Sequence, residues 1–187
     1  MSERIQIVPY CARWSSEYRL IADRLRTIVP DNSELHHIGS TAVANMSAKN
    51  VIDIQLGVSR LSDVQVERFE SVGFTHLPDR TDHQPPGRAL PPEDLRKLYF
   101  RAEDPAVHLH IRERGRFNHR YAILCRDFLR ANSEAAAAYE RIKLELADRF
   151  PSEKEAYYAI KDPVFDLIMT GAELWAKASN WKLPPPD

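Results

Sequence analysis

A short turn of small, hydrogen-bonding residues separates two stretches that have the pattern of β-strands. Residues 35–40 alternate as a strand requires, and the alternation stops at Gly39, Ser40 and Thr41. Small residues let backbone N–H groups and the two hydroxyls face one point, which is the geometry of an anion-binding turn. Lys49 adds a positive charge shortly afterwards. The sequence therefore predicts that these residues bind a phosphate group, the alternative being an ordinary turn.

The second strand-like stretch carries a carboxylate at its centre. Asp53 lies between Ile52 and Ile54, and alternation places it on the same side as Val51 and Gln55. An ionised carboxylate is costly to bury without a partner. We therefore expect Asp53 to open onto a cleft or to contact a cation, where it could bind a metal or act in catalysis.

Two histidines on a later strand could join this site. Residues 106–112 alternate, and the apolar odd positions require the core side, so His108 and His110 share the other face. We expect that face to be the one that carries Asp53. The histidines could line the substrate site, bind a metal or be solvated. With His37 they could form a transition-metal site, because histidine and carboxylate ligands suit zinc, although a His-x-His pattern is equally common in ordinary strands.

Basic residues later in the chain offer further phosphate contacts. Arginines recur over residues 112–130, and guanidinium groups suit bidentate binding of phosphate, so Arg126 is a predicted contact. Lys161 is another. The alternative for the arginines is a solvated face, partly paired with Glu113 and Asp127. Because no exposed aromatic residues are interleaved with them, we do not expect nucleic-acid recognition.

A set of short motifs follows in order along most of the chain, from about residue 8 to residue 165. The motifs are His37-Ile38-Gly39-Ser40-Thr41-Ala42-Val43, Ala48-Lys49, Ile52-Asp53-Ile54, His108-Leu109-His110-Ile111, Arg126-Asp127-Phe128-Leu129-Arg130, Tyr139 with Lys143 and Leu146, and Tyr157 with Lys161. This ordered set resembles the signature of the GrpB family. The resemblance implies a fold of the nucleotidyltransferase type and a nucleotide or another phosphorylated small molecule as the ligand.

The resemblance also implies a set of metal ligands. In the nucleotidyltransferase superfamily the turn is followed by a strand with two carboxylates two residues apart, and a third carboxylate lies on a later strand. Asp53 fills the first position, which implies a Mg²⁺ site. Gln55 fills the second position, where a neutral amide cannot supply the charge of a carboxylate, and the third falls on the strand of His108 and His110.

Two interpretations follow, and the sequence does not decide between them. The first is an enzyme that transfers a nucleotidyl group with Mg²⁺ bound at Asp53. The second is a ligand-binding protein on a catalytically degenerate scaffold of the same type, with Gln55 as a contact to the substrate. No GxGxxG or GxxxxGK[ST] motif is present in the 187 residues, which argues against dinucleotide-dependent dehydrogenases and P-loop kinases.

Composition excludes several classes of protein. A chain of 187 residues with 43% hydrophobic content can bury the core of one domain. Its formal net charge of −1 creates no general attraction to nucleic acid or to an anionic membrane.

Cys11 and Cys125 lie outside any CxxC motif and are expected to be free thiols. The sequence has neither an apolar run of membrane-spanning length nor a secretion signal, so it predicts a cytoplasmic protein. Its oligomeric state stays open.

The order of the patterns predicts an α/β (α+β) protein with one domain over residues 1–187. Residues 1–113 mix strands and helices and are predicted to form a small mixed β-sheet with flanking helices. Residues 114–181 have helical periodicity and are predicted to form a C-terminal helical cap. The proline-rich residues 182–187 are predicted to be a frayed tail. Residues 78–94 are dense in proline and predict a long, mobile loop that could close over the cleft as a lid.

Overall fold

The computed structural model describes residues 4–187, within which the chain forms five strands and six α-helices. The strands are β1 (Glu34–Ile38), β2 (Ile52–Val58), β3 (Thr75–His76), β4 (Leu98–Glu103) and β5 (Ala106–Glu113). The helices are α1 (Arg13–Arg26), α2 (Val66–Glu70), α3 (Pro92–Leu95), α4 (Phe117–Ala131), α5 (Ser133–Arg149) and α6 (Lys154–Ser179). The predicted mixed α/β fold is confirmed.

The five strands form one mixed sheet in the order β1-β2-β5-β4-β3. The central pair, β2 and β5, is parallel, and the other neighbours are antiparallel. The parallel register pairs Asp53 with His108 and Gln55 with His110. Because paired residues on neighbouring strands point to the same side of a sheet, these four side chains share one face. The prediction that both histidines lie on the face of Asp53 is confirmed.

The opposite face of the sheet forms the main hydrophobic core together with α1 and α2. Ile52 and Ile54 of β2 are buried there. Helix α1 contributes an inward stripe at intervals of three and four residues, which is the spacing of one helical face; its buried members are Trp14, Tyr18, Ile21, Ala22 and Leu25. The indole N–H of Trp14 donates to the side chain of Asn50 at 2.7 Å, so this polar atom is satisfied inside the core.

The last three helices pack on one another and on the polar face of the sheet. Tyr121, Leu124 and Cys125 of α4 share an apolar cluster with Met169 and other residues of α6. Helix α5 joins this group through Tyr139, which packs with Leu129 of α4. The helices therefore cover the face that carries Asp53, and the functional side chains lie between the sheet and this cap.

The structure contradicts the prediction that residues 78–94 form a mobile lid. Asp82 is buried, and its carboxylate accepts hydrogen bonds from Arg112 Nε at 2.6 Å and Nη2 at 2.7 Å. Lys97 Nζ also donates to it at 2.9 Å. Pro85 is buried as well. The segment is anchored to the sheet by these contacts, which a lid would have to break in order to open.

The prediction of a frayed tail over residues 182–187 is also wrong. The N–H of Asp187 donates to the backbone oxygen of Leu35 at 3.1 Å. Its carboxylate accepts from the N–H of His37 at 2.8 Å and from Arg126 at 2.7 Å. Asp187 therefore lies along β1, the edge strand, and satisfies backbone groups that an exposed edge would leave unpaired.

Candidate functional site

The site begins at the turn after β1, where a glycine makes room for a carboxylate. Gly39 has φ +72° and ψ −173°, a backbone region that is essentially restricted to glycine. A Cβ atom placed on Gly39 would lie 2.3 Å from Oδ2 of Asp53. The predicted turn is present as the short 3-10 helix Ser40–Ala42. The missing side chain at Gly39 is therefore what allows Asp53 to pack directly against this turn.

Asp53 is paired with a histidine on the neighbouring strand. The Nδ1 atom of His108 lies 3.1 Å from Oδ1 of Asp53, and the two side chains are 24% and 29% exposed. Burial raises the pKa of Asp53, but the hydrogen bond and charge of His108 and the charges of Lys49 and Lys161 outweigh it and lower the pKa. Asp53 is therefore ionised at neutral pH.

Three lysines from separate parts of the chain surround this pair, and we call Lys49, Lys143 and Lys161 the lysine cluster. Lys49 donates to the hydroxyl of Tyr158, and its Nζ lies 4.8 Å from the centroid of that ring. Lys161 Nζ lies 5.7 Å from the same ring centroid. Lys143 is only 1% exposed and donates to the backbone oxygen of Ser47 at 2.7 Å. Positive charge is thus concentrated beside Asp53.

Tyr139 links the turn to the lysine cluster. This phenol is buried, and the Ser40 side chain and Lys161 lie close enough to lower its pKa. Burial raises its pKa, so the phenol is neutral at pH 7. Ser40 therefore lies at the site where it was predicted, and the turn, α5 and α6 meet at one point. The predicted contacts Gly39, Ser40, Lys49 and Lys161 are brought together with Asp53 and His108.

His37 lies on the opposite side of the sheet. It pairs with Ile54 across the β1–β2 ladder, and its ring stacks on Tyr18 of α1 with centroids 4.8 Å apart. Its Nε2 atom lies 3.0 Å from Oγ1 of Thr41. The Thr41 side chain is buried and its hydroxyl donates to the backbone oxygen of Val51 at 3.3 Å, so it is used within the protein and not at the predicted phosphate site.

The metal sites expected from the sequence do not fit the geometry. The transition-metal site required His37 beside His108 and His110, and His37 faces the other way. Within residues 4–187, no three His, Cys, Asp or Glu side chains are grouped so that they could hold an ion. Mg²⁺ fits no better, since it prefers carboxylate oxygens, and the neighbours of Asp53 on this face are Gln55, His108 and His110.

Gln55 and His110 belong to a buried network centred on Arg112. Gln55 is fully buried; its Oε1 accepts from Arg112 at 2.6 Å, and its Nε2 donates to the backbone oxygen of His119 at 2.9 Å. His110 Nδ1 lies 3.3 Å from Arg112, and burial and the charge of Arg112 hold the pKa of His110 well below its ordinary value. Both polar atoms of Gln55 are used internally, so it orients Arg112 and does not face a ligand.

Arg126 is part of a structural clamp and not of a phosphate-binding wall. Its side chain is 1% exposed; Nε lies 2.8 Å from Asp127 and Nη1 lies 2.7 Å from Asp187. The same Nη1 donates to the backbone oxygen of His37 at 3.0 Å. These contacts join α4 to β1 and to the last residue of the chain. The guanidinium group of Arg126 is enclosed by these protein partners. It is therefore not available for the phosphate contact predicted from the sequence.

Sequence reasoning missed three members of the site: Lys143, Tyr139 and Tyr158. A signal for Lys143 was present, since Tyr139, Lys143 and Leu146 follow at intervals of four and three on α5 and are all buried. Burial disfavours the charge of a lysine, so a lysine on the buried face of a helix indicates a specific role for that side chain. Tyr158 is adjacent to the buried Tyr157, and no periodicity distinguishes it from a solvated residue.

Lys143 is expected to make the stability of the protein depend on pH above neutrality. Burial, helped by the charges of Lys161 and Lys49, lowers its pKa from 10.5 to about 7. Between these values the unfolded chain binds more protons than the folded one, so the free energy of unfolding rises with pH. Urea unfolding at pH values from about 7 to about 9, below the ordinary pKa of a lysine side chain, measures this slope.

Two variants separate Lys143 from the other titrating groups. Lys143→Met should flatten the slope, because the depressed ammonium has been removed. Lys177→Met, at an exposed position on α6, should leave the slope as in the wild type. Equal slopes for the wild type and Lys143→Met would show that the buried lysine does not titrate in this range.

Comparison with known proteins shows the family. A family model described as GrpB protein matches residues 4–170. The chain belongs to the GrpB family. It is similar to a chain described as the conserved protein GrpB from Enterococcus faecalis, whose crystal structure superposes with a TM-score of 0.75 at 25% identity, covering 91% of this chain and 99% of that one. The resemblance read from the motifs is thereby confirmed at the level of the GrpB family.

Two curated relatives are longer than this chain. A dephospho-CoA kinase of Mycolicibacterium paratuberculosis is 30% identical over 196 residues, which cover 95% of this chain and 48% of that protein. The UPF0157 protein YqkA of Bacillus subtilis is 28% identical over 182 residues, covering 95% and 50%. The chain thus spans about half the length of these relatives. Among the described residues no helix is both long and apolar enough to cross a membrane.

Proposed function

We propose that the polar site beside Asp53 binds a nucleotide or another phosphorylated small molecule. The observation that carries the proposal is the lysine cluster, in which Lys49, Lys143 and Lys161 approach one point from the loop before β2, from α5 and from α6. The Ser40 side chain and Lys161 both act on the phenol of Tyr139. Ammonium groups in a partly buried cleft attract phosphate oxygens more strongly than they do in open solvent.

The charges in the cleft are not all neutralised by protein partners. Lys143 is bonded to a backbone oxygen and Lys49 to a phenol, both of which are neutral groups. Lys161 has an acidic neighbour, Asp162, at 3.8 Å, but that carboxylate is 51% exposed and its attraction is screened by water. Asp53 supplies one negative charge against the three lysines. An anionic ligand would therefore supply the charge that the cluster lacks.

The same geometry favours binding over Mg²⁺-dependent nucleotidyl transfer. Two-metal transfer requires several carboxylates to hold the ions, and Gln55 and both histidines occupy the positions next to Asp53. Incubation with nucleoside triphosphates and Mg²⁺ tests this choice. Pyrophosphate release by the wild type above the level of Asp53→Asn would favour the transferase instead.

The mycobacterial relative suggests a probe for the cleft. This chain lacks the GxxxxGK[ST] loop that cradles phosphates in P-loop kinases, and it spans 48% of that relative. Kinase activity is therefore not proposed for this chain. Dephospho-CoA, ATP and inorganic phosphate form a graded set of probes, since the first two carry a nucleotide and the third carries only the anion.

Lys161→Met is expected to weaken the binding of these probes by about 10- to 100-fold, because a charge-assisted hydrogen bond contributes about 1.5–3 kcal/mol. Isothermal titration calorimetry measures the affinity. Lys177→Met on the same helix is the matched control, since its side chain is exposed and lies outside the cluster. The proposal fails if none of the three probes binds to the wild type, or if Lys161→Met binds them with unchanged affinity.

A further inference from the structure

We infer that His108 and Asp53 form a general-base pair, and that the cleft hydrolyses a phosphoanhydride such as a nucleoside triphosphate without a metal ion. The inference rests on the proposed phosphate site and extends it from binding to a reaction. It is carried by the orientation of one imidazole, by the rigid support of one carboxylate and by the charge of the lysine cluster.

The pairing determines which nitrogen of His108 carries the proton. An ionised carboxylate can only accept hydrogen bonds. Because Oδ1 of Asp53 lies 3.1 Å from Nδ1 of His108, the proton of a neutral ring must be on Nδ1. The lone pair is then on Nε2, which is the form of histidine that can take a proton from water.

The Nε2 atom is available for this role. It makes no hydrogen bond with any group in residues 4–187. It is also not one of the buried polar atoms without a hydrogen-bond partner, so it is not enclosed by protein. The His108 side chain is 24% exposed, so Nε2 is accessible to solvent. By contrast, both ring nitrogens of His36 are buried without a hydrogen-bond partner, and that histidine cannot reach water.

The carboxylate that orients His108 is itself held in place. Asp53 packs against Gly39 so closely that a Cβ atom at that position would lie 2.3 Å from Oδ2. The hydrogen bond to His108 restrains the other oxygen. A fixed carboxylate keeps the ring in one tautomer and stabilises the imidazolium that forms when Nε2 takes a proton. Asp53 is therefore a positioning residue, and His108 is the base.

The class of substrate follows from what the cleft lacks. The pair supplies one base, and the residues beside Asp53 provide neither a metal site nor a second carboxylic acid. A leaving group that departs as an anion needs neither, so the site favours a substrate of that kind. The phosphate that leaves a phosphoanhydride can do so, and Lys49 and Lys161 are placed to stabilise its charge.

The step balances in atoms and charge. An O–H bond of water breaks and its proton moves to Nε2 of His108, while the water oxygen forms a bond to phosphorus. The bond from phosphorus to the bridging oxygen breaks, and its electron pair stays on the leaving phosphate. The imidazolium then releases its proton to solvent. Water and one phosphoanhydride yield two phosphate products and one proton.

Phosphate release from ATP in the presence of excess EDTA tests the activity. Wild-type protein is expected to hydrolyse ATP under these conditions, and His108→Gln is expected to reduce kcat by at least about 100-fold, the lower range for loss of a general base. His83→Gln is the control, because this histidine is exposed and its ring contacts Asp166 on α6 instead of Asp53. ATP affinity of each variant is measured by calorimetry to show that binding is retained.

Asp53→Asn tests the positioning role independently of turnover. An amide N–H can donate to Nδ1 and so favours the tautomer with the proton on Nε2. Long-range ¹H–¹⁵N NMR should show His108 with the proton on Nδ1 in the wild type and on Nε2 in the variant. In the ATP assay the variant should lose kcat with little change in KM.

The outcomes separate this inference from the binding proposal. ATP that binds but is not hydrolysed, hydrolysis that EDTA abolishes, or full activity in His108→Gln would each overturn the inference and leave the binding site standing. An unprotonated Nδ1 in the wild type would overturn it as well. If none of the phosphate probes binds, both proposals fall together.

Discussion

Asp82→Ala is expected to lower the free energy of unfolding by about 3–5 kcal/mol, the usual cost of breaking a buried ion pair from one side. The Asp82 carboxylate is 3% exposed and contacts Arg112, which is 8% exposed, and Lys97, which is 10% exposed. Its removal would leave two buried cations without a counter-charge. Burial raises the pKa of Asp82, but Arg112 and Lys97 outweigh it and lower the pKa, so the pair is charged at neutral pH. Urea unfolding at pH 7 measures the change.

The matched control for Asp82 is Asp79→Ala, an exposed aspartate in the same proline-dense segment. It should change stability by less than about 0.5 kcal/mol, as surface substitutions do. If Asp82→Ala also costs less than about 1 kcal/mol, residues 78–94 are not anchored as the contacts indicate. The lid interpretation would then regain support.

The features that depend on strand periodicity alone were predictable from the sequence. The apolar residues at odd positions from Val107 onward require one face of β5, which leaves His108 and His110 on the other. The same reasoning places Asp53 opposite Ile52. The sheet pairs these residues as neighbours, and the 3.1 Å contact between Asp53 and His108 follows from that register.

The features that depend on register between strands were not predictable. Alternation shows that His37 and Ile38 point to opposite sides, but it does not show which side faces the cleft. The β1–β2 ladder pairs Ile38 with Asp53 and His37 with Ile54. A shift of one residue would have reversed both assignments. This register is why His37 does not join His108 and His110, as the transition-metal prediction required.

The roles of buried polar residues depended on partners that are distant in sequence. Gln55 was assigned to a ligand because it lies two residues after Asp53, yet its amide is bonded to Arg112, which is 57 residues away. Arg126 was assigned to phosphate, yet it contacts Asp187, which is 61 residues away. A polar side chain that looks available in the sequence can be satisfied by any part of the fold, and local spacing does not show which.

Gly39→Ala is expected to lower the free energy of unfolding by about 2–5 kcal/mol, from two sources. The backbone at φ +72° and ψ −173° lies in a region essentially restricted to glycine, which costs a residue with a side chain about 1–3 kcal/mol. The added Cβ would also lie 2.3 Å from Oδ2 of Asp53, and such overpacking costs about 1–3 kcal/mol. Urea unfolding of the variant measures the total.

Two further variants separate strain from collision. Gly73 has φ +90° and no atom within 4 Å of its added Cβ, so Gly73→Ala should show the cost of backbone strain alone. The double variant Gly39→Ala/Asp53→Ala removes the carboxylate that the new methyl group meets. It should be more stable than the sum of the two single losses by about 1 kcal/mol or more, which is the size of coupling expected for residues in contact. Strict additivity would show that Asp53 does not pack against the turn, and the support that orients His108 would be lost with it.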